Sequence, residues 1–126
     1  MKPTKYDIYV YQGASWSLEL TFKDANGDTV DLSGYDGVFA IRQYLEADSE
    51  IIRLDGAGGG VVFSSTAPNI VIRMTDEETL ALPTELEKIT DWVYEFRMYE
   101  DGNEDYTTVR LIEGEVNVYP PVARDA

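Results

Sequence analysis

Residues 11–35 read YQGASWSLELTFKDANGDTVDLSGY, and the alternation inside them sets the architecture. From residue 15 to 23, Trp16, Leu18, Leu20 and Phe22 fall on one face and Ser17, Glu19 and Thr21 on the other. A period of two is that of a strand with one wet face. The stretch DANGD (24–28) follows, and its Asn-Gly pair supplies the positive φ angles of a tight hairpin, so the chain reverses into residues 29–32 before a second turn at Ser33-Gly34.

The rest of the chain repeats this grammar. Residues 37–45 alternate Phe39 and Ile41 against Ala40 and Arg42, residues 46–50 are a polar connection, and 51–54 form a short strand. GAGGG (56–60) holds too little side chain to pack and reads as a loop. Residues 61–63 and 70–74 are short strands about a turn at Ala67-Pro68-Asn69. Thr75 followed by Asp76, Glu77 and Glu78 is a capping box, which predicts one short helix over about 76–82, closed by Pro83 and tucking Leu80 and Leu82 over one end of the sheets. Residues 84–90 carry a weaker signal. Residues 91–99 set Trp92, Tyr94, Phe96 and Met98 on one face. A turn at 100–105 hands over to a strand at 106–112, where Thr107, Val109 and Leu111 alternate with Thr108 and Arg110. A last strand brings Val116 and Val118 inward before Pro120-Pro121. About seven to nine short strands with regular turn signals predict an all-β, immunoglobulin-like antiparallel β-sandwich, a single domain over 1–126, with both tryptophans, Phe22, Phe39 and Phe96 inside.

Composition narrows the chemistry. The 126 residues hold no cysteine and no histidine, which removes disulfides, thiolate and imidazole ligands, and every nucleophile that depends on an imidazole base. Twenty-four acidic against ten basic residues give a net charge of −14, a poor match to nucleic acid or an anionic membrane and a good one to solubility or a basic partner. No apolar run approaches the roughly 20 residues of a membrane span, and MKPTKYDIYVYQG at the amino terminus is not a signal peptide. A strand pattern starting right after Met1 fits a small complete gene product.

Several patterns have a plain reading. Asp24/Asn26/Asp28 and Asp101/Asn103/Asp105 begin like a calcium loop, but Thr29 and Tyr106 stand where its glycine belongs, and Tyr35 and Ile112 where its closing glutamate belongs. Hairpin turns select the same residues, so no metal and no cofactor is expected. Carboxylate pairs such as Glu77/Glu78 and Glu85/Glu87 follow from abundance, so no catalytic residue is assigned. Tyrosine is the unexplained excess. Tyr6, Tyr9 and Tyr11 share a strand with Ile8 and Val10, so both faces are apolar and something covers them, either the second sheet or a neighbouring subunit. Tyr6, Tyr9, Tyr11, Tyr44 and Tyr99 are the interface candidates. Tyr44, Tyr99 and Tyr106 are the alternative stacking platforms if the domain binds carbohydrate.

YVYQGASWSLELTFKDANGDTVDLSGYDGVFAIR (9–42) resembles the opening of a family of small tailed-bacteriophage structural proteins: a Gln-Gly, a strand, a D-x-x-G-x-x-x-D-L-S-G-Y turn and a strand ending in Ile-Arg. These are similar to the amino-terminal module of baseplate upper proteins and to small tail proteins associated with tail fibres. TDEETLALP (75–83) resembles their short helix, WVYEFRMYEDGN (92–103) their hairpin strand, and LIEGEVNVYPPVAR (111–124) their close. The resemblance implies a non-enzymatic virion protein, made and assembled in the bacterial cytoplasm, that connects tail or baseplate to fibres or spikes. It also implies that the partners are other phage structural proteins and copies of itself. A capsid decoration protein is the second reading.

Overall fold

A computed structural model describes residues 3–43, 50–82 and 90–120. Among the described residues nine strands lie in two sheets: β1 (Thr4–Lys5), β2 (Ile8–Tyr11), β3 (Trp16–Leu20), β4 (Tyr35–Arg42), β5 (Ile52–Asp55), β6 (Val61–Phe63), β7 (Ile70–Met74), β8 (Thr90–Glu100) and β9 (Val109–Tyr119). One sheet runs β1-β9-β8-β4-β5 with β2 also on β9, and the other runs β3-β7-β6. Strands 3-7-6 opposite 9-8-4, with β5 added beyond β4, is the connectivity of an immunoglobulin-type sandwich carrying one extra strand. The all-β expectation holds, and the 61–63 and 70–74 strands have the bounds read from the sequence. The polar connection at 46–49, Pro83, the weak stretch 84–89 and Pro121 lie outside the described residues.

Alternation turns directly into burial. Tyr94, Phe96 and Met98 of β8 are buried in this way, whereas on β4 both faces are covered, Val38 and Ala40 being buried along with Phe39 and Ile41; Phe39 meets Tyr94 with ring centroids 5.3 Å apart. Each fully buried large side chain contributes about 2–3 kcal/mol. The tryptophans are only half-buried against this core, contrary to expectation. Trp16 begins an edge strand, which has no neighbouring strand on one side to help cover so large a ring. Phe22 is likewise half-buried.

Two corrections concern pairing and a third a turn. The sandwich is not wholly antiparallel, since β1 and β2 run parallel to β9 in one continuous register, Thr4 opposite Ile112 and Ile8 opposite Val116. The two strands expected at 106–112 and beyond Gly114 are one strand, β9, bent by a bulge: Phe96 faces Ile112 while Arg97 faces Arg110, leaving Leu111 as the extra residue. The bulge moves the alternation by one place, so Val109 and Ile112 share the core side. Residues 104–107, expected to be turn and strand, form a second short helix, α2 (Glu104–Thr107).

The first helix, α1 (Asp76–Leu80), has the predicted box: the Thr75 hydroxyl accepts from Glu78 N at 3.1 Å and Thr75 N donates to Glu78 Oε1 at 2.9 Å. Leu82 is buried as expected, but Leu80 is 55% exposed. The inward position is Thr79, three residues before Leu82 and so on the same helical side. The Thr79 hydroxyl donates to Ala14 O at 2.8 Å and accepts from Gly13 N at 3.1 Å, tying α1 to the β2–β3 turn. Asn69 ties down the other loop: its Oδ1 accepts from Phe22 N at 2.7 Å, and its Nδ2 donates to Phe22 O at 2.9 Å and Val30 O at 2.8 Å. The DANGD hairpin is thereby fixed to β7.

Candidate functional site

Strand β2 separates its apolar residues cleanly. Ile8 and Val10 turn into the core, while Tyr9 and Tyr11 point out and are 53% and 60% exposed. The parallel register sets Tyr9 opposite Asn117 and Tyr11 opposite Tyr119. Tyr119 therefore joins them on the outer face: its ring stacks on Tyr11 at 4.9 Å with 19° between planes, and lies 6.3 Å from Tyr9. The domain's own second sheet covers the Ile8 and Val10 side, and within the described residues nothing covers the tyrosine side. Tyr6, 51% exposed, precedes them on the same edge.

The edge is held by an exchange of partners at Tyr6. Tyr6 N donates to Glu113 O at 2.9 Å as the parallel ladder requires, but Tyr6 O is taken by the hydroxyl of buried Tyr94. Glu115 N, its partner in a regular ladder, donates instead to Asp7 Oδ1 at 3.0 Å. Gly114 makes this possible, since a Cβ there would stand 2.4 Å from Tyr6 O. Burial, then the charge of Asp7, pushes the Tyr94 hydroxyl well above its ordinary pKa of 10.0.

Tyr99 does not join the cluster. It lies eight residues along β8 from Asp91, the residue level with Tyr9, roughly 26 Å at about 3.3 Å per residue. Burial, then the charges of Asp36 and Glu104, raise its pKa. Tyr99 and Tyr106 line one open depression of about 440 Å³ with Asp101 and Asn103, so two of the three alternative platforms are brought together, Tyr106 being 89% exposed. Tyr44 lies outside the described residues.

Between these ends the outer face neutralises itself. Glu95 receives Arg97 and Arg110, each at 3.1 Å, and Arg110 also reaches Glu113 at 3.5 Å. Arg42 and Arg53 each approach Glu50 at 3.7 Å. The DANGD turn keeps its carboxylate for itself, Asp24 Oδ1 accepting from Asn26 N and Asp28 N at 2.9 and 3.0 Å. Among the described residues no group of three or more acidic side chains is placed to hold a metal ion.

No protein-family model matches the chain, and no curated protein matches it in sequence. Solved structures similar to it include the extracellular domain of the voltage-gated sodium channel beta4 subunit, described as a parallel homodimer that explains its role in cell-cell adhesion. That chain is 14% identical, with 97% of each chain covered and a TM-score of 0.45. Tim-1 is similar at 10% identity, covering 98% of this chain and 99% of that one, also with a TM-score of 0.45. These likenesses concern the fold alone, and the strand order defines that fold without them.

Tyr119 is the residue of interest that sequence reasoning passed over. Tyr119 had a signal, being one step out of phase with inward Val118, but its neighbour Pro120 marks it as a strand end.

Proposed function

We propose that this chain is a non-enzymatic bacteriophage virion structural protein, a connector joining tail or baseplate to fibres or spikes. The observation that carries this reading is the exposed cluster of Tyr9, Tyr11 and Tyr119 along a sheet edge that no described residue of the chain covers. Tyrosine offers contact area with a polar tip and is enriched in interface cores. A strand edge beside it offers backbone groups to a second chain. The order of the motifs in residues 9–42, 75–83, 92–103 and 111–124 supports the phage assignment, and the acidic surface suits a subunit that stays soluble until it docks. The partners are copies of itself and other phage structural proteins.

Labelling purified particles with an antibody to this chain tests the location. Label at the tail tip supports the connector; label spread over the head makes it a decoration protein; particles without label end the virion reading. Sedimentation of the isolated chain tests the surface. Self-association lost in Tyr9→Ser/Tyr11→Ser supports the tyrosine edge, and association unchanged by that double substitution places the contact elsewhere.

A further inference from the structure

Strand β3 is an open edge of the three-stranded sheet, pairing with β7 on one side and with no described strand on the other. The direction of its backbone groups follows from Arg73, which faces Ser17 across the ladder. Arg73 N donates to Gly60 O at 2.8 Å, so its main chain is turned toward β6, and Ser17 opposite it makes no ladder bond to β7. Trp16, Leu18 and Leu20 therefore carry the bonds to β7, and Phe22 N, donating to Asn69 Oδ1 at 2.7 Å, continues the same series. Ser17 and Glu19 aim their N–H and C=O groups away from the sheet, where no described residue meets them.

The side chains of this edge are also left half-covered. On the inner face Trp16, Leu18 and Leu20 pack against the core yet remain partly exposed, and a strand added beside them would cover the remaining surface. On the outer face Ser17 and Glu19 are exposed. The Ser17 hydroxyl and the Glu19 carboxylate have no partner among the described residues, and Arg73, unlike Arg42, Arg53, Arg97 and Arg110, has no carboxylate.

The pattern complements itself. A second copy of β3, antiparallel and centred on Leu18, overlaps all of residues 16–20, sets Ser17 opposite Glu19 of that copy and Trp16 opposite its Leu20, and places Leu18 on the two-fold axis. The outward backbone groups of the two strands then meet at the Ser17 and Glu19 pairs. The Ser17 hydroxyl can donate to the facing carboxylate, a charge-assisted bond made twice by symmetry, and Arg73 puts a positive charge on the same row, one strand further in. Other registers fit less well. A slip of one residue turns the apolar side chains to the wet face. A slip of two sets Glu19 against itself in one direction, and in the other leaves it opposite Ser15, outside the strand.

We propose that β3 is a self-pairing edge that joins two copies of this chain, antiparallel through residues 16–20, into one sheet with three strands from each copy. A single strand pair is a small contact and weak in free solution, so trapping reads it where sedimentation does not. It lies on the other sheet from the tyrosine edge and stands or falls separately from the connector role.

The chain has no cysteine of its own, which permits a disulfide test of the register. Ser17→Cys and Glu19→Cys, each in the Tyr9→Ser/Tyr11→Ser chain so that the tyrosine edge contributes nothing, are mixed in equal amounts with reduced and oxidised glutathione. Facing residues lie about 5.5 Å apart, within disulfide reach, whereas position 17 with 17, or 19 with 19, is diagonal at roughly 7–8 Å. Mixed disulfide dimers should therefore exceed same-variant dimers several-fold, with the melting temperature before oxidation close to that of the parent. Amide exchange in the cysteine-free parent gives a second reading. As concentration rises, the Ser17 and Glu19 N–H groups should exchange several-fold more slowly, while that of Leu18, already bonded to β7, changes little. Mixed and same-variant dimers in the proportions of random pairing, no disulfide dimers at all, or Ser17 and Glu19 exchange that ignores concentration would each overturn the proposal.

Discussion

The Tyr94 hydroxyl, on a buried strand in the middle of the larger sheet, donates its hydrogen to the main-chain carbonyl of Tyr6, 88 residues away. The contact draws the N-terminal strand onto β9 at the one level where the regular ladder is broken. Tyr94→Phe keeps the ring and leaves that carbonyl without its partner. A loss of about 1–3 kcal/mol is expected, read as a fall in melting temperature of roughly 3–10 °C.

The same hydroxyl gives a pH dependence. Its pKa is raised in the folded state by burial and by Asp7, so the folded chain holds the proton more tightly than the unfolded one. Stability from this group is complete below the unfolded tyrosine pKa of about 10 and declines as pH rises above it, because only the unfolded state gives up the proton. Melting temperatures taken from pH 8 to 11 should fall more steeply for the native chain than for Tyr94→Phe. Parallel curves would show that Tyr94 is not the group responsible.

Gly114→Ala should damage the same edge by a different route. The new methyl would lie 2.4 Å from Tyr6 O and 2.8 Å from Tyr6 C, both main-chain atoms that cannot swing aside. The N-terminal strand would have to lift, at about 2–4 kcal/mol. Amide exchange should accelerate across residues 4–11 before it does so in β4 or β8.

Asn69→Asp tests the buried amide. The side chain is fully buried and makes three hydrogen bonds to main chain, two of them as donor. A carboxylate cannot donate, so Phe22 O and Val30 O would each face a negative charge. A loss of about 3 kcal/mol or more is expected from urea unfolding. A change below about 1 kcal/mol would mean that the 22–30 hairpin is not fastened there.

Glu95→Gln is the contrasting case. Glu95 meets two arginines, but all three side chains remain partly exposed. Solvent and salt screen such pairs, so the expected change is about 1 kcal/mol or less, shrinking further in high salt.

What could be read from the sequence was what depends on near neighbours. Period-two burial in residues 16–20 and 92–98 and the Thr75/Glu78 box are set by residues within a few places of one another. The sequence shows Asn69 only as part of a turn, because its partners lie 39 and 47 residues away. The parallel placement of Ile8 beside Val116 and the bulge at Leu111 depend on chain pairing that local periodicity does not encode. The candidate interface split for the same reason. Tyr9 and Tyr11 were visible as an excess on one strand, whereas Tyr119 became their neighbour only through the register of β2 on β9, and Tyr99 fell at the far end of β8.

Since β1 and β2 run the same way as β9, the described chain joins this ladder beside Ile112 and leaves it at Tyr119, roughly 23 Å further along at about 3.3 Å per residue. Tension between those two points slides one strand lengthwise past the other, so the rungs resist together and do not peel in turn. A single-molecule stretching trace in which this pair opens gradually at low force would contradict that picture; one abrupt rupture would mark the domain as a mechanical clamp.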